Sequence, residues 1–101
     1  MKVNVQSVNF NADQKLVDFV NQKLLKLESH FNKVISADVF MKVGNTSAKE
    51  NKTTEILLNI PGGELIAKKT YKTFEEGVDQ CVTIMERQLE KKKEKEKVNF
   101  F

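Results

Sequence analysis

The apolar residues change their spacing three times along the chain, and few folds accommodate that order of changes. Val3-Asn4-Val5-Gln6-Ser7-Val8 alternates with the period of two expected of a strand, Val3 and Val5 facing inward. From about Ala12 to Phe31 the period becomes helical. Leu16, Val20, Leu24, Leu27 and Phe31 recur at three- and four-residue steps as one stripe, and Asn11 or Asp13 is placed to cap that helix. Alternation returns in Ala37, Val39, Met41 and Val43, then in Thr54 to Ile60 and Glu64 to Lys72. Gly44 to Thr53 reads as a mobile hairpin loop, and Pro61-Gly62-Gly63 as a tight turn. The last change produces a second helical stripe: Phe74, Val78, Cys81, Val82, Met85 and Leu89. Thr73 is its predicted cap, with Glu76 completing a capping box.

The order β-α-β-β-β-α predicts an α+β fold: a four-stranded mixed sheet with two helices packed on one face. A right-handed crossover through the first helix makes strands 1 and 2 parallel, and two hairpins add the others. Each helix has one apolar stripe, so both cover the same sheet face and leave the opposite face open. The second stripe stops at Leu89. The next positions on that side are Lys92 and Glu96, which are costly to bury unpaired, so the helix is expected to leave the body there. Residues 1–97 read as a single domain, and 98–101 as a short, frayed, apolar tail.

A chain of 101 residues buries roughly 65% of its unfolded surface, enough for one core without a metal or disulfide staple. The single cysteine, Cys81, excludes an internal disulfide and suits a reducing compartment. The start Met1-Lys2-Val3-Asn4 has no long apolar run after its lysine, and no segment approaches the roughly 20 apolar residues of a membrane span. The expectation is a cytoplasmic protein with no membrane partner.

No catalytic constellation can be assembled from these residues. His30 is the only histidine and sits near a helix end, where it suits the dipole. Cys81 falls on the buried stripe, where free cysteine behaves as a small hydrophobe. Pro61-Gly62-Gly63 is too short for a phosphate-binding loop and precedes a strand rather than a helix. The acidic residues show no spacing of a catalytic pair. The reading is a non-enzyme with no cofactor, no metal and no small-molecule substrate.

Charge is what remains. The chain carries +3 from 17 basic and 14 acidic residues, and the segment 87–97 alone holds a surplus of that size. Arg87, Lys91 and Lys95 stand four residues apart on one side of the second helix, with Lys92 and Lys93 on adjacent faces and no acidic counter-row along the line. On the first helix Lys15, Lys23, Lys26 and Lys33 cluster around Phe19, off the buried stripe. Such rows match nucleic-acid phosphates and would bind with strong salt dependence. They equally suit a solvated helix laced with Glu–Lys pairs. Phe19 fits either a boundary core position or a base-stacking platform. Side by side, the two helices would form one broad basic surface, suited to reading RNA by shape and phosphates.

Three segments in order carry a resemblance: Lys23-Leu24-Leu25-Lys26-Leu27-Glu28-Ser29-His30-Phe31, Ile60-Pro61-Gly62-Gly63-Glu64-Leu65 and Glu86-Arg87-Gln88-Leu89-Glu90-Lys91. With the element order, they resemble the bacterial hibernation-promoting factor family over residues 1 to 97. The resemblance implies binding to 16S rRNA in the head–body channel of the small ribosomal subunit, where the protein excludes messenger RNA and A- and P-site transfer RNA. Carried over by position, the rRNA contacts fall on Lys23 and Lys26, and on Arg87, Lys91, Lys92 and Lys95. The pattern departs from the family at Ile84, at Thr73-Phe74-Glu75 and at Ser7-Val8-Asn9, where relatives carry a basic or different residue. Lys68, Lys69 or Lys72 is the expected substitute. The ending Val98-Asn99-Phe100-Phe101 suggests the short form of the family, associated with pairing of idle ribosomes, and a protein that is monomeric when free. The alternative is a general double-stranded-RNA-binding module, whose fold this arrangement resembles. A protein-interaction adaptor with an incidental basic tail is the third reading.

Overall fold

Two caps set where the helices begin. The Asp13 carboxylate accepts from the Leu16 N–H at 2.8 Å, and the Thr73 hydroxyl accepts from the Glu76 N–H at 3.2 Å. Each satisfies one of the amide donors that a helix leaves free at its start. In the computed structural model, which describes residues 1–44 and 49–98 with side chains to Glu94, six elements follow. They are β1 (Lys2–Val8), α1 (Gln14–His30), β2 (Ser36–Val43), β3 (Lys52–Ile60), β4 (Gly63–Tyr71) and α2 (Phe74–Val98).

The sheet order is β1-β2-β3-β4, with β1 parallel to β2 and the other two pairs antiparallel. Register places Val3, Ala37, Leu58 and Leu65 in one row across the four strands, and Val5, Val39, Ile56 and Ala67 in the next. Both rows face the helices. Against them lie Val20, Leu24 and Leu27 from α1, and Phe74, Val78, Cys81, Val82, Met85 and Leu89 from α2, all buried. Each fully buried aliphatic side chain contributes about 1.5–3 kcal/mol relative to exposure. The opposite sheet face has no helix over it among the described residues; Val8 and Ile66 are exposed there.

The expected α+β architecture is therefore present, and the differences are local. β3 begins at Lys52, two residues before the predicted start, because the Gly44 N–H donates to the Asn51 carbonyl at 2.8 Å and carries the β2–β3 ladder into the predicted loop. Residues 45–48 of that loop lie outside the described residues. Gly63 already pairs with Ile60, so the β3–β4 turn is Pro61-Gly62 alone. Gly62 has φ +85°, the left-handed value that a type II turn requires after a proline. α2 passes close over β3: a Cβ at Gly77 would stand 2.5 Å from the Thr54 hydroxyl oxygen. Helix and sheet can approach this closely only because position 77 lacks a side chain.

The end of the α2 stripe behaves as its sequence predicts. No residue beyond Leu89 is buried among the described ones. At 1.5 Å per residue the helix is about 37 Å long, and the molecule measures 54 × 24 × 18 Å. Its last turns therefore extend past the sheet. α2 runs through Val98; the rest of the expected tail lies outside the described residues.

Candidate nucleic-acid interface

Where α2 leaves the body, its flanks meet the end of α1 and create two grooves. In the first, Thr83, Arg87 and Lys91 of α2 share the lining with His30 and Phe31. Glu86, Glu90 and Glu94 line the same groove. The expected absence of an acidic counter-row is thus wrong. Steps of four produce two parallel rows one residue apart, and the end of α1 closes both into one groove. Arg87 and Lys91 are exposed and make no ion pair within 4 Å among the described residues, but their surroundings are of mixed sign.

The second groove lies on the other flank, between α2, the segment after α1 and the Pro61 turn. It is a cleft of about 210 Å³. Val34, Ile60 and Leu89 form its buried floor, and Phe31 and Pro61 also line it. Among the described residues its charged lining consists of Lys33, Lys92 and Lys93, with His30 and Asn32 beside them and no carboxylate. Lys92 occupies the position where the apolar stripe would have continued past Leu89. It is half-buried and lines the cleft beside Leu89.

The lysines of α1 do not form the expected cluster. Lys23 donates to the Asp79 carboxylate of α2 at 2.8 Å and lies 5.5 Å from the centre of the Phe19 ring. Its ammonium holds the two helices together and is the only one found over that ring among the described residues. Phe19 packs, half-buried, against the core. Lys26 is exposed and unpaired among the described residues, whereas Lys33 belongs to the cleft. The expected single broad basic surface is accordingly divided. It becomes a helix–helix tie at Lys23, a mixed groove at Arg87 and Lys91, and a cleft whose described charges are Lys33, Lys92 and Lys93. The Lys95 side chain lies outside the described ones.

Lys68 and Lys69 are both exposed. Lys68 pairs in register with Glu55 and Phe40 on the open sheet face, away from the helices, while Lys69 shares the helix side with Thr54. Cys81 is no nucleophile. Burial pushes its thiol up to about 11, and the thiol donates to the Thr54 carbonyl at 3.6 Å. Sequence reasoning missed the cleft as a unit, since its lining comes from three separate segments. Its one sequence signal was the replacement of an apolar residue by Lys92 three positions after Leu89.

The family model for sigma 54 modulation protein / S30EA ribosomal protein matches residues 3–97. The chain belongs to this family. A ribosome hibernation promoting factor of Pseudomonas putida is 36% identical over 96 residues, covering 95% of this chain and 90% of the relative. One from Escherichia coli is 30% identical over 95 residues, covering 94% and 96%. Among solved structures, a ribosomal subunit interface protein from Coxiella burnetii superposes with a TM-score of 0.81 at 17% identity, over 92% of this chain and 98% of that one. The N-terminal domain of Thermus thermophilus Protein Y gives 0.75 at 21%, over 90% and 98%. These two show that the chain shares the fold of those proteins. The family is one of non-enzymatic proteins of ribosome hibernation and translation regulation, in keeping with the burial of Cys81.

Proposed function

We propose that this protein is a cytoplasmic ribosome hibernation factor that binds 16S rRNA in the head–body channel of the small subunit. There it excludes messenger RNA and A- and P-site transfer RNA and so inhibits translation. The observation that carries this reading is full-length similarity to proteins named ribosome hibernation promoting factors, at up to 36% identity over 95% of the chain. The geometry agrees with it: the basic end of α2 extends past the body, where it can enter a narrow RNA-lined channel. Arg87, Lys91, Lys92 and Lys95 are the proposed contacts on α2, and Lys26 the exposed one on α1. Lys23 contributes mainly by fixing the helix pair. Residues 1–97 act as one ribosome-binding domain.

Binding of this kind releases counterions and weakens steeply with salt. The test is co-sedimentation with purified small subunits over a salt series, with an Arg87→Gln/Lys91→Gln variant alongside. Salt-sensitive binding that the variant loses supports the reading. Absence of binding at low salt rejects it. Equal affinity for naked RNA duplexes would instead favour a general double-stranded-RNA module.

A further inference from the structure

We propose that the cleft between α2 and the Pro61 turn receives a single unstacked nucleobase, with the flanking phosphates held by Lys33, Lys92 and Lys93. This rests on the RNA-binding reading above and specifies what part of the RNA the site takes. A helix surface that meets only duplex phosphates needs no cavity. Here the cavity exists, and its volume of about 210 Å³ lies below the roughly 300–1,000 Å³ of pockets for drug-sized ligands. It suits one ring system rather than an extended ligand.

The lining has the chemistry of a base site. Phe31 supplies an aromatic side chain, and the buried floor of Val34, Ile60 and Leu89 offers nothing polar. Unpaired bases of RNA are commonly held on aromatic side chains, with a sequence tolerance that comes from the π-face common to every base. Asn32 brings an amide donor and acceptor able to meet a base edge. Charge then selects the occupant. Among the described residues three lysines and no carboxylate line this cleft, whereas the Arg87 groove on the other flank contains Glu86, Glu90 and Glu94. A polyanion is attracted to the first and partly repelled by the second. The cleft also lies where α2 leaves the body, so RNA running along the basic end of the helix passes its mouth.

The test uses the full chain alone, followed by ¹H–¹⁵N correlation spectra during titration with uridine and adenosine 5′-monophosphates and with ribose 5-phosphate. Both nucleotides should move the amides of Asn32, Lys33 and Val34 saturably. Ribose 5-phosphate should bind at least about fivefold more weakly, since it lacks the stacked base. Asn32→Trp, which fills the mouth from an exposed position, should abolish the shifts; Lys92→Gln/Lys93→Gln should weaken them if the tryptophan variant does not fold. Equal binding of ribose 5-phosphate would reduce the cleft to an anion site and overturn the proposal. So would shifts mapping elsewhere or none at all. Tighter occupancy by an acetyl-Phe-Glu peptide would overturn it in favour of a protein partner. No ribosome enters this titration, so its failure is distinct from a failure of small-subunit co-sedimentation.

Discussion

Lys23 and Asp79, 56 residues apart in sequence, join α1 to α2 through a 2.8 Å ion pair. Both partners are partly exposed, so the pair is worth about 0–1 kcal/mol. Its importance is that it occupies an ammonium which position alone would assign to RNA. Asp79→Asn should therefore release Lys23 and leave small-subunit affinity unchanged or slightly raised. Lys23→Gln should weaken binding less than Lys92→Gln does. Co-sedimentation of the three variants at one salt concentration decides the order; a larger loss for Lys23→Gln would show that this lysine meets RNA directly.

The basic cleft makes a second prediction for binding. Neutralising Lys33, Lys92 and Lys93 to glutamine removes three cations that no carboxylate among the described residues of the cleft offsets. The slope of log affinity against log salt should fall by roughly two to three. Arg87→Gln/Lys91→Gln should lower it by less per charge, because Glu86, Glu90 and Glu94 already offset those cations. Equal slopes per charge in the salt series would contradict the division of the surface into two grooves.

Thr54 and Gly77 test the packing that positions α2. The Thr54 hydroxyl is fully buried with no hydrogen-bond partner among the described residues. Leaving such a group unsatisfied costs about 1–3 kcal/mol. Thr54→Val, of the same shape, should raise the midpoint of urea unfolding. Gly77→Ala should lower the unfolding free energy by about 1–3 kcal/mol despite alanine's better helix propensity, since the new methyl meets the Thr54 side chain at 2.5 Å. A stabilised Gly77→Ala variant would mean that α2 does not approach β3 so closely.

Cys81 gives a pH prediction. Its thiol is raised from an ordinary 9.0 to about 11, chiefly by burial. Below about pH 9 it is protonated in both folded and unfolded chains and costs nothing. Between about 9 and 11 the unfolded chain releases the proton while the folded one retains it, so stability should decline across that window. Denaturation midpoints at pH 8 and pH 10.5, compared with those of Cys81→Ala, isolate the contribution. Alkylation at pH 8 should be slow in the native protein and fast in urea; rapid native alkylation would contradict the burial.

The sequence by itself determined the six elements, their order and the place where α2 leaves the core. These follow from local properties: the period of the apolar residues, the caps Asp13 and Thr73, the Pro61-Gly62 turn and the loss of the stripe after Leu89. The strand boundary at Lys52 escaped it, because a polar residue enters a ladder through backbone bonds that carry no side-chain signature. The row of Glu86, Glu90 and Glu94 was legible as spacing. That it shares a groove with Arg87 and Lys91 depends on where α1 ends. Only the tertiary structure decided which lysines are free. It placed Asp79 beside Lys23 and gathered Lys33, the Pro61 turn and Lys92 around one cleft. Electrostatic surroundings are set by distances in space, and chain position does not encode those distances until the sheet has aligned the helices.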